Sequence, residues 1–320
     1  MSDPRTPPHP DAARREEPDV AHVGAPVAPA PLARPVPPDE RGDQARPPVL
    51  LAVRAHPDDE VIATGGTLAK YGAAGWETVV VTCTDGAQGD GPGGVKPGEP
   101  GHEPAAVVAT RHAELVRSCA ELGVTHLELL GYGDSGMVGW SANDDPSAFA
   151  NAPIDEAAER LAAILGRYRP TVVLTDDANG GYGHPDHVQT HRVTVAALER
   201  AALPASLYFA AIPRRRMRDL FVAAAAAGLD VAALGFDPDA PPDPDFGTDD
   251  DRLTTVIDVR DFVAQKRRAL EAHGSQVDDS FFLRIPEEIF TLAFGEEFFV
   301  RSGAAVPERL ETALGVAPAG

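Results

Sequence analysis

Histidine and carboxylate side chains cluster at two places in the sequence. The first cluster is His-Pro-Asp-Asp-Glu at 56–60, directly after the apolar run Val49–Ala55. Three adjacent carboxylates repel one another and resist transfer out of water, so a nearby cation would offset their cost. The second cluster is His-Pro-Asp-His at 184–187. Both clusters point to a metal ion bound between two distant segments.

Each cluster offers two ligands at i, i+3 spacing, namely His56 with Asp59 and His184 with His187. Catalytic zinc sites usually use three protein ligands and leave one position for water. His56, Asp59 and one histidine of the second cluster would supply two nitrogens and one oxygen. That set suits Zn²⁺, with Fe²⁺ or Co²⁺ as alternatives. Asp58 then remains available as a general base on a water held by the metal.

The elements around the clusters alternate between strand and helix. Apolar strands are predicted at Val49–Ala55, Glu77–Thr84, Thr125–Gly131, Thr171–Asp177 and Ser206–Pro213, with helices at Glu60–Gly75, Ala105–Gly123, Pro153–Pro170 and His184–Ala201. Continuous apolar strands separated by helices predict an α/β fold with a Rossmann-like, doubly wound, mainly parallel sheet. Ligands bind beyond the carboxyl ends of such strands, so the two clusters lie on the same rim and should meet at one site if the strand order allows.

Composition divides the chain into three parts. Residues 1–46 mix Pro, Ala, Arg and Asp without a period and are predicted to be a disordered extension. Residues 47–302 are predicted to form the functional domain, in which the strand–helix–strand pattern at 252–302 makes a C-terminal cap. Residues 303–320 are predicted to be a tail. The acidic, Pro-rich segment 235–251 is expected to be a solvated or lid-like loop.

Charge and cysteine content restrict the partners. The chain of 320 residues carries a net charge of −21, which argues against nucleic acid or an anionic membrane surface as a partner. Its two cysteines lack metal-site spacing and favour buried, reduced thiols in a cytoplasmic protein. The sequence shows no apolar run of membrane-spanning length and no secretory signal pattern. A small-molecule substrate is therefore expected, and the sequence does not indicate an oligomeric state.

The combination of "AHPDDE" and "NGGYGHPDH" resembles the LmbE-like/PIG-L superfamily of zinc-dependent N-deacetylases, over residues 49–302. The second motif, with "GDSGM" at 133–137 and "AHGSQV" at 272–277, is most similar to the mycothiol branch. That branch contains an N-acetylglucosaminyl-inositol deacetylase and a mycothiol S-conjugate amidase. The resemblance implies that one Zn²⁺ per chain supports hydrolysis of an N-acetyl amide on a glucosamine-type sugar. The amidase reaction and deacetylation of another N-acetyl sugar are the alternatives.

The resemblance also implies roles for the residues of the first cluster and its partner. His56, Asp59 and His187 would be the zinc ligands. Asp58 would be the general base that deprotonates the attacking water.

Five further residues receive roles from the same resemblance. His184 would be a second, charged catalytic group close to the amide, with Asp186 orienting it. Tyr182 would lend its hydroxyl to the tetrahedral intermediate. Arg111 and Asp134 would hold hydroxyls of the sugar and the inositol.

Several of these residues also have simpler interpretations. Asp58 or Asp59 could cap the helix that follows, although both cannot fill the same cap. Tyr182 could be a packed aromatic, Arg111 a solvated surface charge and Asp134 a turn residue.

Three further residues, His191, Asp176 and Asp177, are expected close to the second cluster. His191 lies one helical turn after His187 and is expected to line the site. The acidic pair Asp176 and Asp177 ends the fourth strand, and one of the two is expected to support the metal.

The sequence departs from the family pattern in two segments. The Gly- and Pro-rich stretch Thr84–Pro104 differs from the usual family loop, and Gln88 stands where a charged residue is usual. The segment 280–301 is closer to the amidase.

Two functions of other classes were weighed against hydrolysis. A nucleotide-binding dehydrogenase needs G-x-G-x-x-G after its first strand, and that turn here is "HPDDE". A degenerate binding module on the same fold would be expected to have lost Asp58 or a histidine, and the full set is present.

Overall fold

The computed structural model describes residues 46–226, 231, 237, 246–277 and 281–315. Most of the predicted N-terminal extension, most of the predicted loop at 235–251 and the end of the predicted tail lie outside this part. Among the described residues, no helix is long and apolar enough to cross a membrane.

The described strands form one seven-stranded sheet in the order β3-β2-β1-β4-β5-β7-β6. They are β1 (Val49–Arg54), β2 (Glu77–Thr84), β3 (His126–Tyr132), β4 (Val172–Thr175), β5 (Ser206–Ala211), β6 (Thr255–Asp258) and β7 (Glu296–Arg301). Strands β1 to β5 pair in parallel, whereas β7 is antiparallel to both β5 and β6. The fold is therefore mixed α/β with a mostly parallel sheet.

The helices follow the predicted alternation. They are α1 (Asp59–Ile62), α2 (Gly65–Ala73), α3 (Pro104–Glu121), α4 (Ile154–Tyr168), α5 (Gly180–Gly183), α6 (Pro185–Ala201), α7 (Arg214–Ala226), α8 (Val263–Glu271), α9 (Gly274–Val277), α10 (Phe281–Arg284) and α11 (Glu287–Phe294). Short 3₁₀ turns lie at Ser141–Asp144, Phe149–Asn151, Asp250–Arg252 and Arg260–Phe262.

Helices cover both faces of the sheet, which explains its apolar strands. Along β1, Leu50 and Ala52 join a core cluster with α2, α3 and α8. Leu51 and Val53 join the opposite cluster with α4 and α6. Alternate side chains of a strand point to opposite faces, so a strand buried on both sides needs an unbroken apolar run.

The first predicted helix, Glu60–Gly75, is broken in the structure into α1 and α2. The Thr64 hydroxyl donates a hydrogen bond to the Glu60 carbonyl at 2.8 Å, and two glycines follow. A Cβ on Gly66 would lie 2.6 Å from Val259 Cβ. The glycine thus allows α2 to approach the end of β6 closely.

The predicted C-terminal cap is not a separate layer, which corrects the sequence analysis. Strands β6 and β7 extend the main sheet beyond β5, and α8 packs against α2 and α3. Strand β7 carries the buried Glu297, which accepts the backbone N–H groups of Gly66 and Thr67 at 2.8 Å. Glu297 also pairs with the buried Lys266 of α8. These contacts build the segment into the core.

Candidate active site

The two histidine–carboxylate clusters meet at the carboxyl ends of β1 and β4, as predicted. These strands are neighbours in the sheet, and the chain continues from them toward opposite edges. A cavity of about 520 Å³ opens there. Eight of the nine predicted site residues line it: His56, Asp58, Asp59, Arg111, Asp134, Tyr182, His184 and His187. The ninth, Asp186, is fully buried behind them.

Asp59 joins the two clusters. Its Oδ2 lies 3.3 Å from His56 Nδ1 and 3.3 Å from His187 Nε2. The same oxygen accepts the backbone N–H of His56 at 2.7 Å, so Asp59 folds back over the turn instead of capping α1. Burial favours the neutral carboxyl, but His187 and His56 outweigh it and hold the pKa of Asp59 well below its ordinary 3.8.

Two overlapping groups of described residues could hold a metal ion. The ligand atoms of His56, His184 and His187 lie within 4.8 Å of one another, as do those of His56, Asp134, His184 and Asp186. Asp59 belongs to neither group, although it contacts two of the histidines. The structure therefore leaves two candidate ligand sets, both of which include His56.

His56 lies among carboxylates on both sides of its ring. Its Nε2 is 3.1 Å from Asp186 Oδ2 and 3.5 Å from Asp134 Oδ1, while Nδ1 faces Asp59. Burial alone would lower the pKa of His56, but these carboxylates raise it well above the ordinary 6.5. The surroundings thus favour a positive charge at this place, which is also what a metal ion supplies.

Asp186 contacts a different histidine from the one expected. Its carboxylate accepts from the backbone N–H and the hydroxyl of Ser135 and faces His56. Its contact with His184 is through the backbone instead, since Asp186 N–H donates to His184 Nδ1 at 3.2 Å. The structure thus pairs the Asp186 carboxylate with His56, whereas the sequence analysis assigned it to His184.

The surroundings of His184 favour its neutral form, whereas a charged group was expected. Burial and the neighbouring His56 and His187 lower the pKa of His184 to about 4. Because Nδ1 accepts the Asp186 N–H, the ring proton is assigned to Nε2. His184 can therefore donate a hydrogen bond into the cavity without carrying a charge.

Asp58 occupies the cap position of α1 but makes no side-chain capping bond. Its carboxylate pairs with Arg111 at 3.0 Å and is 27% exposed. Burial raises the pKa of Asp58 above its ordinary 3.8, and Arg111 limits the rise. Among the clustered acids, Asp58 thus combines access to the cavity with a raised proton affinity, as a general base requires.

Arg111 and Asp134 are buried and bonded to the protein. Arg111 donates to the carbonyls of Pro57 and Gly86 at 2.8 Å as well as to Asp58. Asp134 accepts the backbone N–H groups of Gln88 and Gly136 at 3.1 and 2.8 Å. Arg111 is thus not the solvated surface charge of the simpler interpretation, and its contacts with Asp58 and Pro57 were not anticipated.

Tyr182 lies on the rim of the cavity. Its side chain is 46% exposed, and its hydroxyl is 3.5 Å from His187 Nε2. A tyrosine packed only for structure would be covered, so this position favours contact with a ligand.

Asp176 is the acid of the pair that supports a histidine of the cluster. Its Oδ1 lies 3.5 Å from His187 Nδ1 and 3.0 Å from Arg54. Asp177 instead accepts the backbone N–H groups of Asn179 and Gly181. His191 does not line this cavity; its ring bonds the Asp176 carbonyl and packs on Phe209.

Sequence reasoning missed Arg54. The side chain is buried beneath the cluster, and its Nε and Nη1 have no partner among the described residues. Arg54 precedes His56 by two positions, and alternate residues of a strand share a face. That spacing was the available signal.

Comparison with known proteins identifies relatives of this chain. Residues 51–198 match the PIG-L family, described as GlcNAc-PI de-N-acetylase. The 1D-myo-inositol 2-acetamido-2-deoxy-alpha-D-glucopyranoside deacetylase of Acidothermus cellulolyticus is 42% identical over 266 residues, which cover 81% of this chain and 90% of that protein. The protein of the same name from Thermobifida fusca is 42% identical over 246 residues, which cover 71% of this chain and 83% of that protein.

A solved structure gives the same fold. The N,N'-diacetylchitobiose deacetylase of Pyrococcus horikoshii superposes with a TM-score of 0.53 and 22% identity, covering 79% of this chain and 83% of that one. At this identity the likeness concerns the fold alone. The relatives at 42% identity, the motif match and the shared fold lead to one assignment: the chain belongs to the PIG-L family of GlcNAc-PI de-N-acetylases.

Proposed function

We propose that this protein is a zinc-dependent deacetylase of N-acetylglucosaminyl-inositol that releases acetate and a free amine. The observation that carries the proposal is Asp59 Oδ2 at 3.3 Å from both His56 Nδ1 and His187 Nε2, beside the accessible carboxylate of Asp58. The names of the relatives supply the substrate.

In the predicted ligand set, the two separations that involve Asp59 are those expected for zinc, although the three ligand atoms do not all lie within 4.8 Å of one another. Ligand atoms bound to tetrahedral zinc at about 2.0–2.1 Å lie about 3.3 Å from each other. Asp59 has this separation from both histidines. The group with Asp134 needs Asp186, whose oxygens already accept two bonds from Ser135. The group of three histidines would use His184 in place of Asp59. We therefore assign the metal to His56, Asp59 and His187, where it would act as a Lewis acid toward the acetyl carbonyl and the attacking water.

The surrounding side chains then have separate tasks. Asp58 takes the proton of the attacking water, because it is the exposed carboxylate with the raised pKa. His184 donates a hydrogen bond from Nε2 to the amide oxygen, and the proton taken up by Asp58 passes to the departing nitrogen as the C–N bond breaks. Tyr182, on the rim beside His187, donates its hydroxyl to the same oxygen. Arg111 holds Asp58 in place and Asp134 lies next to the sugar.

One wall of the cavity favours a second candidate, an amidase acting on a conjugate with an apolar substituent. Ile62, Leu270, Val277 and Phe282 line that wall. A sugar and an inositol expose hydroxyls that these side chains cannot bond, whereas an apolar group would bury area against them.

Release of primary amine from N-acetylglucosaminyl-inositol by the zinc-loaded protein tests the proposal. A mycothiol S-conjugate and N,N'-diacetylchitobiose should be assayed beside it. Turnover of the first substrate supports the deacetylase. Preference for the conjugate would replace it with the amidase, and no turnover of any of the three by metal-loaded protein would contradict both.

The Asp58→Asn variant tests whether Asp58 is the general base. The amide keeps the shape of the side chain but cannot accept the proton, so kcat should fall by about 10²–10⁴-fold while the bound metal remains. Unchanged turnover in Asp58→Asn would contradict its assignment as the base.

A further inference from the structure

The segment Ala272–Gln276, part of the motif "AHGSQV", has no task in the proposed reaction, yet it is bonded to the back of the site. His273 is fully buried, and its Nε2 lies 2.6 Å from Glu60 Oε1. Glu60 is fully buried too, and its Oε2 accepts the backbone N–H of Asp58 at 3.0 Å. One carboxylate therefore connects the C-terminal half of the chain to the backbone of the predicted base.

The backbone of Asp58 needs such support. Its φ of 136° with ψ of −26° is a conformation that residues with a Cβ rarely adopt. A residue in a sparsely populated backbone conformation persists only where its surroundings hold it. Rotation to a negative φ would swing the Asp58 carboxylate away from its present place. Glu60 opposes that rotation by bonding the Asp58 N–H.

Glu60 can hold this position because three donors satisfy it. Besides Asp58 N–H and His273, the hydroxyl of Ser118 donates to Oε1. Removing His273 would leave the buried Glu60 carboxylate without one of its donors, which favours movement of its side chain. The position of Glu60, and through it that of Asp58, thus depends on His273.

The same segment also fixes the surroundings of Arg111. Ser275 donates its backbone N–H and its hydroxyl to Glu114, one turn after Arg111 on α3, at 2.8 and 2.6 Å. Gln276 bonds both the N–H and the carbonyl of Asp90 at 3.0 Å.

The chain around Gly89 and Asp90, which Gln276 holds, packs closely against the Arg111 side chain. A Cβ on Gly89 would come within 2.5 Å of both Arg111 Nη1 and Gln276 Oε1. Arg111 in turn bonds the Pro57 carbonyl and the Asp58 carboxylate. The segment therefore reaches Asp58 from two sides.

We propose that Ala272–Gln276 is a positioning segment for the base: His273, acting through Glu60, holds the strained backbone of Asp58, and Ser275 and Gln276 hold Arg111 against its carboxylate. This inference rests on the proposed function, since it takes Asp58 as the base. His273 and Glu60 act through Asp58 and do not touch the substrate.

The test compares His273→Leu with His273→Gln. Leucine removes the donor to Glu60, so kcat should fall by about 10²-fold, as for a catalytic group displaced by about 1 Å. KM and zinc affinity should stay within about threefold, because neither the ligands nor the sugar contacts change. Glutamine can still donate to Glu60 and should recover most of the kcat.

A second variant covers the case in which His273→Leu does not fold. Gln276→Ala removes the loop anchor at a partly buried position and should lower kcat several-fold. Gln265→Ala is the matched control, since Gln265 bonds the Glu121 carbonyl on the surface, away from the site. Its kcat should equal that of the unchanged protein. Equal kcat in Gln276→Ala and Gln265→Ala would overturn the part assigned to Gln276.

Two further results would overturn the inference. One is folded, zinc-loaded His273→Leu protein with unchanged kcat, or with its loss confined to KM or zinc affinity. The other is independent of activity: a crystal structure of His273→Leu in which Asp58 keeps its φ near 136° and its bond to Arg111. If the unchanged protein releases no amine while the variant structure shows Asp58 displaced, the proposed function fails and the positioning role stands.

Discussion

Asp58 and Asp59 are adjacent in the chain but have opposite electrostatic environments. Two histidines and Arg54 hold the pKa of Asp59 well below its ordinary value despite burial, whereas burial raises the pKa of Asp58. Pairs of carboxylates whose surroundings separate their pKa values commonly divide the roles of an active site. The lowered partner suits a metal ligand and the raised one suits a base. This division is a property of single side chains and needs no knowledge of the substrate.

Metal binding in two histidine variants decides between the candidate ligand sets. His187→Ala should weaken zinc binding by more than about 100-fold, because that is the upper end for removing a group outside the ligand shell. His184→Ala should retain zinc within about tenfold, since its Nδ1 is bonded to the Asp186 backbone. Competition with a chelator of known affinity measures both. The reverse order would assign the metal to the group containing His56, Asp134, His184 and Asp186, and loss of zinc binding in both variants would assign it to the three histidines.

At the scale of elements, the site depends on glycines in the connection between β4 and α6. The short, irregular helix α5 (Gly180–Gly183) lies between β4 and α6 and presents Tyr182 at the rim. Gly180 has φ of 64°, and a Cβ there would lie 2.6 Å from His187 Cβ. Gly183 has φ of 85°, but a Cβ there would meet nothing within 4 Å. Only Gly180 therefore combines a left-handed backbone with contact against a predicted ligand.

This difference provides a matched pair of substitutions. Gly180→Ala and Gly183→Ala both place an L side chain at positive φ, which costs on the order of 1–2 kcal/mol. Gly180→Ala should in addition displace His187 and lower zinc affinity by at least about tenfold, while Gly183→Ala should leave zinc affinity unchanged. Zinc titration of the two proteins checks the prediction, which fails if both variants bind zinc equally well.

At the scale of the whole molecule, the chain beyond residue 302 is part of the packed structure up to Gly315. The sequence analysis placed 303–320 outside the domain as a tail. Leu314 is instead buried in the main core cluster, and its N–H donates to the Tyr71 hydroxyl at 2.6 Å. The N–H of Gly315 donates to the Tyr208 hydroxyl at 3.0 Å. The last described residues thus contact both α2 and β5.

Leu314→Ala should therefore destabilise the folded protein. Removing a buried leucine side chain costs about 2–5 kcal/mol of unfolding free energy, from lost burial and the cavity left behind. Val306→Ala, at a position 54% exposed in the same segment, should change it by less than about 0.5 kcal/mol. Urea unfolding measures both. A Leu314→Ala protein as stable as Val306→Ala would mean that the segment contributes nothing to the core.

The sequence by itself determined the local properties of this protein. Continuous apolar runs identified β1 to β5, because a strand buried on both faces has no polar alternation. The placement of His56–Glu60 after β1 and His184–His187 after β4 predicted that both clusters lie on one rim, since parallel strands end on the same side. That β1 and β4 are neighbours came from the strand order in the structure. The bounds of single elements shifted by a few residues, and the broken helix at Thr64 was missed.

Only the tertiary structure decided which side chains pair. Asp186 bonds His56 across 130 positions, and His273 bonds Glu60 across 213. Such pairs depend on strand order, helix docking and rotamers, which local periodicity does not encode. Strands β6 and β7 joined the sheet and did not form a cap for the same reason. The sequence pattern identifies a strand but not its neighbours. Their place in the sheet is set by the open edge of β5 and by the buried Lys266–Glu297 pair.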